Sequence, residues 1–118
     1  MKKIAVLGGG QVGASVAKIL TDDGNDITLV DNNASVLEDL QEDNDIKTIQ
    51  GNASSPSILN QVELSDCDIL IATTASDEVN LVSCHLAKKM FNVPNVIARL
   101  RNAEYRDCLL YTSDAADD

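Results

Sequence analysis

The stretch Ile4-Ala5-Val6-Leu7-Gly8-Gly9-Gly10-Gln11-Val12-Gly13 decides how this chain folds. Four apolar residues in a row predict a short strand buried on both faces. The glycines follow at once, and Val12, Val16, Ile19 and Leu20 then recur at helical spacing. A G-x-G-x-x-G set between a strand and a helix is specific where the bare motif is not. In that setting Gly8 permits the tight turn, Gly10 leaves room for a pyrophosphate against the backbone, and Gly13 lets the helix press on the strand. The helix N-terminus, reached at Gln11 and Val12, adds free N–H groups and a partial positive charge that suit phosphate.

The same alternation continues outward. Gly24 and Asn25 stop the first helix, and Ile27 to Val30 is a second strand ended by Asp31-Asn32-Asn33. Val36, Leu37 and Leu40 mark a second helix, and Ile46 to Ile49 a third strand closed by Gly51. Ser55-Pro56 reads as an N-cap with proline at the first helical position, ahead of Ile58, Leu59 and Val62. Ile69 to Ala72 is a fourth strand; Val79, Val82, Leu86 and Met90 give a long fourth helix, and Val96 to Arg101 a fifth strand. Strands alternating with helices predict an α/β fold: a doubly wound parallel sheet with helices on both faces. Strands one, two and four are continuously apolar, as central strands are, whereas strands three and five alternate and suit edges. The expected architecture is therefore Rossmann-like, with strand order 3-2-1-4-5, truncated before or at a sixth strand.

The chain has 118 residues, 9 basic and 19 acidic, for a net charge of −10 and a pI near 4.3. This length suits one domain. The acidity argues against nucleic acid and against anionic lipid surfaces as partners. No apolar run is long enough for direct membrane insertion, and Ile4 to Leu7 is too short for a signal peptide. Cys67, Cys84 and Cys108 are odd in number, form no C-x-x-C and read as reduced, mostly buried thiols. The single histidine, His85, lies mid-helix among apolar residues and reads as a packed or interface residue, with no metal site. Residues 1–110 form the expected nucleotide-binding domain, incomplete at its C-terminal end. Residues 111–118 (YTSDAADD) carry three aspartates and no apolar period, and read as a foreign or disordered tail.

Asp31 ends strand two, eighteen residues past Gly13, where an acid accepts hydrogen bonds from ribose hydroxyls. It repels a 2′-phosphate, so NAD(H) is favoured over NADP(H); ATP, ADP or AMP would satisfy it equally. Asn52 and Ala53, at the carboxyl end of strand three, flank an adenine ring, and Thr73 and Thr74, after strand four, line the far side of the pyrophosphate. For these two turns a helix-capping role for Ser54, Ser55, Thr74 or Ser76 is an equal alternative. Asp77 and Glu78 suit the start of helix four through its dipole. Arg99 and Arg101 share a face of strand five; Arg99 is a candidate phosphate contact or an ion-pair partner, and Arg101 the latter.

Together, residues 4–13, Asn25 to Asp31, Gly51-Asn52-Ala53-Ser54, Thr74 with Asp77-Glu78 and Asn80, Ile97 to Arg101, and Glu104-Tyr105 resemble the KTN/RCK family. These are nucleotide-binding regulatory domains of potassium channels and transporters, and the resemblance runs from Met1 to about Arg106. It implies a cytoplasmic regulator, peripheral to the inner face of the plasma membrane. It also implies a membrane-embedded potassium transporter subunit as partner, a homo-oligomer in the full-length protein, and NAD(H) or ATP/ADP as the sensed ligand. Gly8, Gly10, Gln11, Val12 and Gly13 would form the phosphate loop and Asp31 would hold the ribose. Asn52 stands where the family often has an aspartate beside the base, next to Ala53, while Thr73, Thr74 and Arg99 fall at ligand-side positions. Such a domain is a regulator rather than an enzyme. The alternative from the residues alone is the cofactor-binding fragment of an NAD-dependent dehydrogenase.

Overall fold

The computed structural model describes residues 1–105 apart from Asn44. Cys108, the proposed boundary at 110 and the tail at 111–118 lie outside the described residues. Five strands, β1 (Lys3–Leu7), β2 (Asp26–Asp31), β3 (Lys47–Gln50), β4 (Ile69–Ala72) and β5 (Asn95–Ala98), form one parallel sheet in the order β3-β2-β1-β4-β5. The helices α1 (Gln11–Asp22), α2 (Ala34–Asp43), α3 (Pro56–Gln61) and α4 (Asp77–Lys89) connect them. A 3-10 turn at Leu64–Asp66, which hydropathy does not signal, precedes β4.

The alternation of strand side chains builds two cores. Ala5, Leu7, Val30, Leu70 and Ala72 face α3 and α4, packing on Leu59, Cys84 and Ala87. Ile4, Val6, Ile27 and Leu29 face α1 and α2, packing on Ala17, Leu37 and Leu40. The expected edge strands are at the edges, and β1 and β2 are buried along nearly their whole length. β4 is buried fully only on the α3/α4 face; Ile69 and Ile71, on the other, are half-buried.

Three expectations need correcting. In α1 the buried residues are Gly13 and Ala17, while Val12 and Ile19 are exposed. In α4 the buried face is Asp77, Asn80, Ser83, Cys84 and Ala87, leaving Val82 and Met90 exposed, and His85 is exposed as well. Both helices turn mostly small or hydrogen-bonded side chains to the sheet, while Leu20, Val79 and Leu86 pack against the cores only partly buried. Third, β5 stops at Ala98 rather than Arg101. The Arg99 N–H still donates to the Ala72 carbonyl (2.9 Å), but the N–H groups of Arg101 and Asn102 turn to Asp77 of α4.

Cys67 and Cys84 are buried free thiols, as expected. Burial pushes their pKa values up to about 11 and about 12 respectively, so both stay protonated near neutrality. Among the described residues no helix is long and apolar enough to cross a membrane.

Leu59 is fully buried between α3 and the sheet. Leu59→Ala is expected to cost roughly 2–5 kcal/mol, the usual range for a buried leucine truncation. The midpoint of urea unfolding measures it, and an unchanged midpoint would contradict this packing.

Candidate functional site

The carboxyl ends of the five strands open onto a cleft of about 560 Å³, within the range of small-ligand sites. It lies at the switch point between β1 and β4, where the chain reverses its direction of travel across the sheet. Gly8, Gly10, Gln11, Val12, Asp31, Asn52, Ala53, Thr73, Thr74 and Arg99 all line it. Of the expected site residues only Gly13 is not in the lining, because it lies beneath the turn.

The glycine turn is shaped by close backbone approach. Gly8 has a φ of +99°, and its N–H donates to the Val30 carbonyl at 2.7 Å. A Cβ on Gly13 would collide with the Gly8 carbonyl oxygen and come within 2.7 Å of Thr73 Oγ1. Gly10 differs: its φ is −70°, and a Cβ there would meet no atom within 4 Å. Neither the fold nor the backbone angle requires glycine at position 10. It leaves open the one spot where a ligand would approach the start of α1.

Asp31 ties the second wall to this turn. Its Oδ2 accepts from the Gly9 N–H at 2.7 Å, and its Oδ1 accepts from the Asn33 N–H at 2.8 Å. The carboxylate is held in one orientation, and each oxygen keeps a further lone pair able to accept another hydrogen bond. The β3–α3 turn is pinned from both sides. The Gly51 N–H donates to the Asp31 carbonyl (3.0 Å), and the Ser83 hydroxyl donates to the Ala53 or Val79 carbonyl (3.0 and 2.7 Å). Ser55 stands at the N-cap of α3 without a side-chain cap bond; its hydroxyl pairs with Ser57 instead.

On the other side Thr73 is buried, and its hydroxyl donates to the Leu7 or Gly8 carbonyl (3.0 and 3.3 Å). Ser76 caps α4, its Oγ accepting from the Val79 N–H. Asn80, only 1 % exposed, is the centre of this wall. Its Oδ1 accepts from the N–H and hydroxyl of Thr74 (3.0 and 2.7 Å), and its Nδ2 donates to the carbonyls of Thr74 (3.2 Å) and Arg99 (2.8 Å). A buried amide with all its bonds made fixes the geometry around it. One side chain therefore sets both the β4–α4 turn and the exit of β5. Sequence reasoning assigned Asn80 no such role; a polar residue on the sheet-facing side of a helix was the available signal.

Asp77 also does more than complement the helix dipole. Its carboxylate oxygens accept from the N–H groups of Arg101 (2.9 Å) and Asn102 (2.8 Å), curling the chain over the start of α4. This brings Arg99 and Arg101 to the cleft, where neither makes an ion pair among the described residues.

A family profile, the TrkA-N domain, matches residues 4–117. The chain belongs to the TrkA-N domain family. It is 48 % identical over 103 residues to the Trk system potassium uptake protein TrkA of Haemophilus influenzae, covering 87 % of this chain and 22 % of that relative. It thus spans about a fifth of that protein's length. Among solved structures, the TrkA-N domain of the Escherichia coli inner membrane protein ybaL superposes with a TM-score of 0.86 (17 % identity, 94 % of this chain, 82 % of that one). The Shewanella denitrificans Kef C-terminal domain in its AMP-bound form gives 0.82 (20 % identity, 97 % and 69 %). The GsuK channel bound to NAD gives 0.81 (18 % identity, 94 % and 20 %). These likenesses establish the Rossmann-like fold.

The N–H groups of Arg101 and Asn102 hold the Asp77 carboxyl below the usual carboxylate range. A depressed folded-state pKa stabilises the fold above the unfolded value, about 3.9, and that contribution fades as pH falls through the folded value. Thermal melts from pH 7 down to 3 should therefore show the Tm advantage of wild type over Asp77→Asn shrinking below about pH 4. A difference that grows toward acid would contradict these bonds.

Proposed function

We propose that this chain is the nucleotide-sensing domain of a regulator of potassium uptake, taking NAD(H) or ATP/ADP in the cleft above β1 and β4. The observation that carries this reading is the pairing of an open Gly10 at the start of α1 with a fixed Asp31 carboxylate at the end of β2. The first suits phosphates against backbone N–H groups, and the second suits an unphosphorylated ribose diol. Gln11 and Val12 border the phosphates. Asn52 and Ala53 border the base. Thr73, Thr74 and Arg99 line the opposite wall. The names of the relatives support the biological setting, and the AMP-bound and NAD-bound neighbours support the ligand class.

Regulation follows from where the walls attach. A ligand reaching from Asp31 to Arg99 would touch both the β1–α1 side and the exit of β5, which Asn80 and Asp77 bind to α4. If these two sides are differently placed in two states of a larger assembly, the ligand favours the state in which both can reach it. In this reading the full-length protein is a homo-oligomer on the cytoplasmic face of the membrane, seated on a membrane-embedded potassium transporter subunit.

Thermal shift with NAD+, NADH, NADP+, ATP and ADP tests the ligand reading. A ligand at about 100 times its Kd adds roughly 2.7 kcal/mol of stability. NAD(H) or ATP/ADP should raise the Tm, and NADP+ should respond weakly because Asp31 repels its 2′-phosphate. Gly10→Ala should keep a near-native Tm, since its Cβ meets no atom, yet lose most of the ligand shift. If none of the five raises the Tm of the folded protein, the reading fails.

A further inference from the structure

The hydrogen-bond ladder between β4 and β5 is cut where the cleft begins, and α4 makes the cut. The Arg99 N–H donates to the Ala72 carbonyl at 2.9 Å. In a parallel pair the next rung lies two residues further along each strand, from the Arg101 N–H to the Thr74 carbonyl. Both partners are diverted. The Thr74 carbonyl accepts from Asn80 Nδ2 (3.2 Å), and the Arg101 N–H donates to Asp77 Oδ1 (2.9 Å). Asp77 and Asn80 belong to the buried side of α4, so one helix face supplies both diversions.

The diverted chain is held along its length. The Asn102 N–H donates to Asp77 Oδ2 at 2.8 Å. The Tyr105 hydroxyl donates to Glu78 Oε1 at 2.8 Å, and Glu78 Oε2 accepts from Ser76 Oγ at 3.2 Å. Residues 99–105 are thereby fastened to the first turn of α4 instead of extending the sheet. Arg99 and Arg101 line the cleft there, beside Thr74 and Ser76. A guanidinium meets phosphate at less cost when the backbone behind it is already fixed.

We propose that Asp77 is a positioning residue for this cleft: by ending β5 it holds Arg99 and Arg101 where the phosphates of a nucleotide beyond the first would meet them. This deepens the nucleotide reading above and rests on it. With ribose at Asp31 of β2 and the first phosphate at the glycine turn after β1, a longer phosphate chain leads on toward β4 and β5. Charge alone predicts the opposite effect of Asp77. Its carboxylate is near enough to both arginines to be stabilised by them, so it lowers the positive potential that a phosphate meets. Removing that charge tightens phosphate binding if Asp77 acts only through its field, and loosens it if Asp77 acts by holding the two arginines in place.

Calorimetry gives the Kd for AMP and for ATP, without divalent metal, in the wild type, Asp77→Asn, Arg101→Ala and the double variant. The ratio Kd(AMP)/Kd(ATP) reads the phosphates beyond the first, whatever a variant does to both affinities together. The wild type should prefer ATP. In Asp77→Asn, which keeps an acceptor for only one of the two N–H groups, the ratio should fall about tenfold. In the Arg101→Ala background the same substitution should change it less, because part of its effect runs through that guanidinium. Tyr105→Phe, which removes one hydroxyl at the far end of the segment, should lower the ratio in the same direction, and it decides the matter if Asp77→Asn does not fold. A wild type with no preference for ATP, a ratio that is constant or rises in these two variants, or an equal effect of Asp77→Asn with and without Arg101 overturns the proposal and leaves nucleotide binding intact. If the folded wild type binds neither mononucleotide and none of the five ligands above, the nucleotide reading falls, and this inference with it.

Discussion

The contact between Gly13 and the Gly8 carbonyl is the constraint on which the rest of the molecule depends. It sets how closely α1 approaches the end of β1, since any side chain at position 13 would have to displace the Gly8 peptide or Thr73. That closeness sets the start of α1 at the carboxyl end of the sheet, where Gly10, Gln11 and Val12 line the cleft. It also places Gly9 within reach of the Asp31 carboxylate. Three consecutive glycines serve three purposes. Gly8 supplies the left-handed backbone. Gly9 avoids Val36, whose Cγ1 would lie 2.6 Å from an added Cβ. Gly10 leaves space where the protein itself has nothing to put.

The opposite wall is built on another principle. Around α4 the chain is held by buried polar groups that bond to backbone, chiefly Asn80, Ser83 and Asp77. Such bonds each add little net stability, but leaving one unmade is costly, so they specify geometry more strongly than apolar contacts of equal area. The cleft therefore has a steric wall and a hydrogen-bonded wall. The steric wall holds the glycine turn. The hydrogen-bonded wall holds Thr74 and the backbone leading to Arg99 and Arg101.

This division explains what was legible in the sequence. The glycine turn, Asp31, the strand order and the edge positions of β3 and β5 follow from backbone sterics and hydropathy, which single residues report directly. The buried faces of α1 and α4 do not. Hydropathy favours Ile19, Val82 and Met90, yet the structure buries Gly13, Ala17, Asn80 and Ser83. Where a helix lies close to a sheet, small volume or complete hydrogen bonding decides burial, and neither is visible as apolar periodicity. β5 ends short of its alternating pattern for a related reason. Val96 to Arg101 keeps a strand's alternation, but Asp77, more than twenty residues earlier, takes the N–H groups of Arg101 and Asn102.

The net acidity of the chain does not by itself decide what an anion would meet in the cleft. At physiological salt, charges more than about 8 Å apart are largely screened, so the net charge of −10 is felt weakly inside the cleft. What a phosphate meets there is local: the N–H groups at the start of α1, and two arginines that no carboxylate neutralises by direct contact among the described residues. Asp77 accepts from two main-chain N–H groups and, among the described residues, makes no ion pair with Arg99 or Arg101, although its charge is near enough to both to be stabilised by them. Asp31 lies at the opposite end, its carboxylate held by the Gly9 and Asn33 N–H groups. The cleft thus carries its two arginines toward β5 and the Asp31 carboxylate at the end of β2, and such a gradient would orient a phosphate-bearing ligand of the kind proposed above.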